Sequence, residues 1–151
     1  MGIARGMDYM HSGCKTKIIN SDIKAENILL DEHLSPKMSD FGLANLCAKN
    51  ETYFSVSNAK GTSGYVALEV ANKNRFDGIL EKADVYSFGI PLRPDEGMTT
   101  NDKEILKKMT IIALWCAQKS PYDRPTMREV IKWLEGSVDF LTKPPNELFS
   151  Y

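Results

Sequence analysis

A short polar loop between two apolar runs carries side chains that could do chemistry. The runs are Ile18-Ile19 and Ile28–Leu30, and Asp22, Lys24 and Asn27 lie between them. An acid, an amine and an amide this close together could form a reactive site. Asp and Asn are also frequent turn formers, so a plain polar turn is the alternative. The rest of the sequence has to decide between the two.

Four further motifs follow this loop along the chain. They are Asp40-Phe41-Gly42, Gly61–Glu69 (GTSGYVALE), Ala83–Gly89 (ADVYSFG) and Pro121–Pro125 (PYDRP). Each motif is weak alone, because D-x-K-x-x-N or Asp-Phe-Gly also occurs in ordinary turns. Their occurrence together, in this order and at plausible separations, is a strong signal.

The combined set resembles the C-terminal lobe of eukaryotic protein kinases over nearly the whole chain. The segments IARGMDYMH, KAENILLDE, MSDFGLA and LWCAQKSPYDRPTM look most like plant receptor-like serine/threonine kinases of the leaf-rust-resistance-like group. The resemblance implies a mainly α fold with short β hairpins, a kinase-like C-lobe fragment that lacks the N-lobe. The implied partial kinase domain covers residues 1–142, and residues 143–151 form a C-terminal tail.

The resemblance implies a role in phosphoryl transfer for each polar residue of the loop. In that reaction catalysis is mainly positioning and charge neutralisation. Asp22 resembles the catalytic base, and Lys24 resembles the lysine near the transferred phosphate of ATP. Asn27 and Asp40 resemble the oxygen ligands of Mg²⁺. Lys24 and Thr62 favour serine or threonine as the substrate residue.

Three other residues resemble structural positions of the family. Glu69 and Arg124 match an ion pair that anchors the end of the activation segment. Loss of one partner, if the pair is buried, would cost about 3–5 kcal/mol. Asp84 matches a carboxylate at the start of a helix that holds the backbone of the catalytic loop.

The sequence departs from the family pattern at three places. Asn20-Ser21 replaces a His-Arg pair, so we expect no cation there to bind a phosphorylated activation loop. Ala67-Leu68-Glu69 replaces Ala-Pro-Glu. Two prolines and a glycine in residues 91–97 would end the long helix expected there, which indicates a deletion near residues 90–101.

The sequence contains no G-x-G-x-x-G and no Val-Ala-Ile-Lys-like strand, the parts of a kinase that cover ATP. The resemblance implies a serine/threonine protein kinase that uses ATP and Mg²⁺, but we expect this chain alone to transfer little phosphate. One alternative is a catalytically dead, pseudokinase-like module that binds a partner kinase or its substrates. Another is a fragment without a stable fold.

Hydrophobic patterns predict the elements that position the first motifs. Apolar residues at helical spacing in residues 3–10 predict a helix that ends near Gly13. Ile28–Leu30 and Pro36–Met38 are typical of short strands around a turn, and we expect the first to be buried. Residues 44–64 are polar and lack periodicity, which predicts a long loop.

Two strong helices are predicted near the end of the chain. Asn101–Glu104 resembles a capping box before the first, and Thr126–Glu129 is a capping box before the second. Pro121 is expected to end the first helix region and Gly136 the second. The tail from Lys143 onward is expected to be poorly ordered.

Composition excludes several other classes. The 151 residues carry a net charge of −1, which gives no reason to expect a nucleic-acid partner. Cys14, Cys47 and Cys116 are too scattered for a disulfide framework or a zinc site. The longest apolar run, Ile111–Ala117, is too short to span a bilayer, although related full-length proteins are membrane receptors.

The expected partners are therefore a protein substrate or a partner kinase. The expected location is the cytoplasm, at the cytosolic face of the plasma membrane if the chain is part of a longer receptor.

Overall fold

The computed structural model describes residues 1–48, 61–71, 81–90 and 103–145. Within these ranges the fold is mainly helical with two small antiparallel sheets, in agreement with the expected mixture of helices and short β structure. The α-helices of the described ranges are α1 Gly2–Asp8, α2 Leu68–Ala71, α3 Glu81–Gly89, α4 Lys103–Cys116 and α5 Met127–Glu135.

Each sheet has two strands. The strands are β1 Lys17–Ile19, β2 Ile28–Leu30, β3 Pro36–Met38 and β4 Asn45–Cys47. β2 and β3 form a hairpin with Leu29 opposite Lys37, and β1 pairs with the more distant β4 with Ile18 opposite Leu46. The polar loop around Asp22 connects the two sheets, since it leaves β1 and enters β2 through a 3₁₀ turn at Ala25–Asn27.

The prediction of a loop over residues 44–64 is wrong at its start. Asn45–Cys47 forms β4, and its pairing with β1 brings this segment against the strand before the Asp22 loop. Three residues are too few to show a strand periodicity, so a local pattern could not reveal β4. Residues 49–60 of the predicted loop lie outside the described residues.

The strand predicted at Ile28–Leu30 is confirmed, but its expected burial is wrong. Leu29 is 57% exposed and Leu30 is 61% exposed. A strand in a two-stranded hairpin can cover its apolar side chains only where another element packs on them. None of the described elements covers these two leucines.

The helix predicted at the N-terminus forms, but it changes type before its end. α1 ends at Asp8, and a π-helical turn over Tyr9–Gly13 continues it to the glycine. Met7 and Met10 are buried, so the methionines of the pattern point into the core. This turn also places His11 in the interior, where it contributes to the site described below.

The core lies where α1, α3, α4 and α5 converge. Its buried members are Ala4, Met7, Met10, Ile23, Val85, Ile112, Cys116, Met127 and Val130. Ile23, only 4% exposed, is the residue directly after Asp22. Burial of Ile23 in the apolar core thus fixes the position of the polar loop.

Close packing of α3 on α4 depends on Gly89. A Cβ atom at this position would lie 2.7 Å from the Cβ of Cys116 and 3.0 Å from the carbonyl oxygen of Ala113. Burial raises the pKa of the Cys116 thiol to about 12, so this cysteine is an inert packing residue. All three cysteines are free thiols.

The capping box before α5 is confirmed. Thr126 Oγ1 accepts a hydrogen bond from the Glu129 backbone, and the Glu129 carboxylate accepts one of 2.7 Å from the Thr126 N–H. The bond from the Thr126 backbone is the main reason why the pKa of Glu129 lies below its ordinary value. Trp115 on α4 packs against Trp133 on α5, with ring centroids 6.1 Å apart.

Several predictions fall on other parts of the chain. The capping residues Asn101 and Asp102, most of the interruption near residues 90–101 and tail residues 146–151 lie outside the described residues. Of the tail, Lys143–Pro145 is described, and Pro144 is buried. No helix in the described ranges is both long enough and apolar enough to cross a membrane.

Candidate active site

The carboxylate of Asp84 holds the backbone directly before Asp22. Asp84 lies in the first turn of α3 and is fully buried. Its Oδ2 accepts the N–H of Asn20 at 2.8 Å and its Oδ1 accepts the N–H of Ser21 at 2.8 Å. His11 Nε2 donates a third hydrogen bond, 3.0 Å long, to Asp84 Oδ2. These donors compensate a carboxylate that would otherwise be costly to bury.

The role of His11 was not predicted from the sequence. The contact joins residues 73 positions apart, so no local pattern signals it. A histidine at the end of a helix with an apolar stripe is the only hint that the sequence offers.

The carboxylate of Asp22 forms the centre of a polar cluster. Oδ1 accepts a hydrogen bond of 2.6 Å from the Thr62 hydroxyl. Oδ2 accepts bonds from Lys24 Nζ at 2.8 Å and from Asn27 Nδ2 at 3.0 Å. The Asp22 side chain is 7% exposed, so these groups replace most of its water. The structure therefore brings Asp22, Lys24, Asn27 and Thr62 together.

These contacts set the charge state of the cluster. Burial pushes the pKa of Asp22 upward, but the hydrogen bonds from Lys24, Thr62 and Asn27 outweigh burial and lower it below the usual value. The hydrogen bond to Asp22 raises the pKa of Lys24, with a further contribution from the charge of Asp40. At neutral pH the cluster therefore contains a carboxylate and an ammonium group.

Gly61 allows the Thr62 segment to approach the loop. A Cβ atom at Gly61 would lie 3.0 Å from the carbonyl oxygen of Ser21 and 2.6 Å from Cγ2 of Val66. The neighbouring Thr62 hydroxyl accepts a 2.8 Å bond from Lys24 Nζ as well as donating to Asp22. A single hydroxyl thus links the acid and the amine.

The amide of Asn27 is oriented by Asp22. Nδ2 donates to the backbone carbonyl of Asp22 at 2.9 Å and to its carboxylate at 3.0 Å. Both partners are acceptors, which defines which end of the amide is nitrogen. Oδ1 of Asn27 receives no hydrogen bond from any described residue, so it can serve as a ligand.

Asp40 lies beside Asn27 and is exposed. Ser39, the preceding residue, donates its N–H at 2.8 Å and its hydroxyl at 2.9 Å to the backbone carbonyl of Asn27. Asp40 has a φ of 56°, and its Oδ1 accepts the N–H of Gly42 at 3.1 Å. The Asp40 carboxylate also raises the pKa of Lys24, so the two charges lie within electrostatic range of each other.

The residues present fit a magnesium ion. Asn27 Oδ1 and the exposed Asp40 carboxylate are oxygen donors, and Mg²⁺ commonly takes one or two protein ligands with the rest from water and phosphate. No group of three or more His, Cys, Asp or Glu side chains in the described ranges is placed to hold a metal by itself. The donor set therefore suits a cation that arrives with a phosphate ligand.

Glu69 and Arg124 form a buried, bidentate ion pair away from the cluster. Arg124 donates to both carboxylate oxygens, with an Nη2–Oε2 distance of 2.9 Å, and its side chain has no exposed surface. It also donates to the backbone carbonyl of Gln118 at 2.7 Å and lies over the ring of Tyr86. The pair ties the segment that contains Thr62 to the helical core.

An apolar cavity of about 310 Å³ lies between α1 and β3. Gly6, Met10, Met38 and Phe41 are among the residues that line it. None of the four predicted catalytic and metal-binding residues lines this cavity. The cavity is therefore separate from the polar cluster, and of its lining residues Phe41 directly follows Asp40 in sequence.

Comparison with known proteins identifies the family of the chain. The family model for the protein kinase domain matches residues 1–93. The chain is 38% identical to leaf rust 10 disease-resistance locus receptor-like protein kinase-like 2.1 of Arabidopsis thaliana, with 100% of this chain and 30% of the relative covered. It is 37% identical to the PR5-like receptor kinase of the same plant, with 98% and 28% covered. The chain thus spans about 30% of the length of these curated relatives.

The family model covers more than half of the chain, and its match includes the segments that contain Asp22, Lys24, Asn27, Asp40 and Asp84. The expected resemblance to leaf-rust-resistance-like receptor kinases is confirmed at the level of the family. The chain belongs to the protein kinase family.

Proposed function

We propose that this chain is the C-terminal lobe of a receptor-like serine/threonine protein kinase that uses ATP and Mg²⁺. The observation that carries the proposal is the hydrogen-bonded cluster of Asp22, Lys24, Thr62 and Asn27. Four side chains of the types needed for phosphoryl transfer meet there although Thr62 is 40 positions from Asp22. A plain polar turn would not require a partner so distant in sequence.

Asp22 is the proposed catalytic base. Its lowered pKa keeps the carboxylate ionised at neutral pH, so it can orient a substrate hydroxyl and accept its proton. Lys24 adds a positive charge next to this oxygen, where the transferred phosphoryl group carries negative charge. Asn27 and Asp40 are the proposed ligands of Mg²⁺, which supplies charge neutralisation of the ATP phosphates when it is bound.

The preference for serine or threonine rests on Lys24 and Thr62. Their contact, 2.8 Å between Nζ and Oγ1, holds both side chains beside the Asp22 carboxylate. In the family pattern that the sequence resembles, residues of these types accompany serine or threonine substrates. Protein substrates are therefore the proposed partners, and the cytosolic face of the plasma membrane is the proposed location.

We further propose that the chain alone has negligible transfer activity. Its sequence has no glycine-rich loop to cover ATP, and Asp40 is exposed. The alignment with the first relative extends over 190 positions, against 151 residues in this chain. The family match ends at residue 93, inside the segment where the sequence indicates a deletion. The length of the alignment and the end of the family match both support a kinase domain that is incomplete near residues 90–101.

Two measurements test the proposal. A thermal shift with ATP, with and without Mg²⁺, should show magnesium-dependent stabilisation that Asp40→Asn reduces. Radiolabelled phosphate transfer to a mixed protein substrate should stay at the level of the Asp22→Asn control. Absence of any nucleotide effect would contradict the site, whereas strong transfer that depends on Asp22 would contradict only the inactivity.

A catalytically dead binding module is the alternative function. Exposed Leu29, Leu30 and Phe41 near the polar cluster favour it, since they offer apolar surface to a partner. A pull-down from plant extract should then recover a kinase or its substrates, and recovery should fall in Leu30→Lys. If nucleotide stabilises the chain and no kinase or substrate is recovered, this alternative is wrong.

A further inference from the structure

We infer that Asn20 is a positioning residue for Asp22. Oδ1 of Asn20 accepts the backbone N–H of Asp22 at 3.0 Å, and Asn20 is only 1% exposed. The inference extends the proposed function, since it rests on the role which that function assigns to Asp22. The inference assigns a role to Asn20, which together with Ser21 replaces the His-Arg pair of the family pattern.

The geometry around Asn20 is a tight turn that needs such an acceptor. Ser21 has a φ of 67°, a left-handed conformation that is uncommon for a residue other than glycine. A hydrogen bond that the N–H of a residue donates to the side-chain oxygen of an Asn two positions earlier is a common way to stabilise a turn of this kind. The bend at Ser21 leads directly into the segment in which the Asp22 carboxylate contacts Lys24 and Asn27.

A second asparagine supports the same turn from β4. Asn45 Nδ2 donates to the Ser21 hydroxyl at 3.3 Å and to the carbonyl of Leu43 at 3.0 Å. Asp84 holds the N–H groups of Asn20 and Ser21 from the other side. Apart from the Asp84 carboxylate, the groups that hold this turn are neutral, and Asn20 is the one that accepts the N–H of Asp22 itself.

The amide nitrogen of Asn20 supports the view that its side-chain oxygen, and not its packing, is what this position requires. Nδ2 is buried and has no hydrogen-bond partner among the described residues. A buried, unpaired N–H₂ group lowers stability, so packing alone would favour an apolar side chain of similar volume. The acceptor function toward Asp22 explains why a residue with this disadvantage occupies the position.

Alanine and serine at position 20 form the matched test pair. Both remove the unpaired amide and leave the same space, but only serine keeps an oxygen that can accept the Asp22 N–H. We expect hydrogen exchange of the Asp22 amide, measured by NMR without nucleotide, to be about fivefold faster in Asn20→Ala than in Asn20→Ser. The side-chain amide resonances of Asn27 should shift in the alanine variant and return toward wild type in the serine variant.

The amides of His33 and Ser35 are the internal control. They are also held by a side-chain oxygen, that of Asp31, and their exchange should not change. Equal Asp22 exchange in the two variants, with unchanged Asn27 resonances, would show that Asn20 is only a packing residue. If both small variants unfold, Asn20→Leu fills the volume and must show the faster exchange. A chain that fails to bind nucleotide leaves this readout intact, so the two proposals fail separately.

Discussion

Two aspartates in two loops of this molecule are used in opposite ways. Asp31 lies in the β2–β3 turn, and its Oδ1 accepts the N–H groups of His33 and Ser35 at 2.9 and 2.8 Å. Its partners lie within six positions, with Lys37 the most distant, and the turn is largely exposed. Asp22 is buried, and its carboxylate binds side chains only, one of them from 40 positions away.

The difference separates a carboxylate that binds its own turn from a carboxylate that is held by the side chains of other segments. At Asp31 the oxygens satisfy local backbone donors, which is the ordinary structural use of Asp. At Asp22 a different residue, Asn20, satisfies the backbone, so the carboxylate oxygens remain free to meet Lys24, Asn27 and Thr62. Asp31 thus fits the plain polar turn, whereas the contacts of Asp22 are those that the proposed function requires.

The largest expected difference in stability is between substitutions of Asp84, which holds the Asp22 loop, and of Asp31, which holds the β2–β3 turn. Asp84→Ala leaves His11 and two backbone N–H groups buried without an acceptor, so we expect the free energy of unfolding to fall by about 3–5 kcal/mol. Asp31→Ala should lower it much less, because water can replace the lost carboxylate in this exposed turn. Urea denaturation with a constant slope measures both. Equal losses in the two variants would remove the distinction between the loops.

The next contrast compares a buried with an exposed ion pair. Glu69→Gln leaves Arg124 buried with only carbonyl partners, and we expect a loss of about 3 kcal/mol. Glu135→Gln breaks the exposed pair with Arg5 and should cost less than about 1 kcal/mol. Thermal unfolding of both variants gives the comparison. A small effect at Glu69 would mean that the Thr62 segment is held by other contacts.

A smaller effect is expected from the hydroxyl that connects Asp22 and Lys24. Thr62→Val keeps the shape and removes the oxygen, which should lower the free energy of unfolding by about 1 kcal/mol. The exposed Thr142→Val is the control, with no expected change. Urea titration resolves the difference. If Thr62→Val is as neutral as the control, the Thr62 bonds contribute nothing to the fold.

The smallest expected effects concern pH and salt. The pKa values of Asp22 and Asp31 are both lowered in the folded chain. Each carboxylate therefore stabilises the fold at pH values above its pKa in the unfolded chain, and this contribution is lost as the pH falls through its pKa in the folded chain. Stability in metal-free buffer should therefore decline below about pH 4, and Asp22→Asn or Asp31→Asn should each flatten the decline. About 0.5 M NaCl should reduce the Asp31 effect while the buried Asp22 effect persists. Equal salt sensitivity would contradict the difference in burial.

Local elements of the fold could be predicted because their determinants are adjacent in the chain. The capping box Thr126–Glu129 and the β2–β3 hairpin each depend on residues a few positions apart. β4 and the buried role of His11 could not be predicted, since their partners lie far away in sequence. The exposure of Leu29 and Leu30 was also not predicted. An apolar run indicates that side chains could be buried, but it does not show whether another element packs on them.

The sequence by itself determined which chemical groups are present and in what order, and this was sufficient for the family. Only the tertiary structure decided that the Thr62 hydroxyl reaches the Asp22 carboxylate, that His11 reaches Asp84 and that Asn20 accepts the N–H of Asp22. Such contacts form when the core around Ile23 and Val85 has closed the intervening chain, at an entropic cost that no local pattern records.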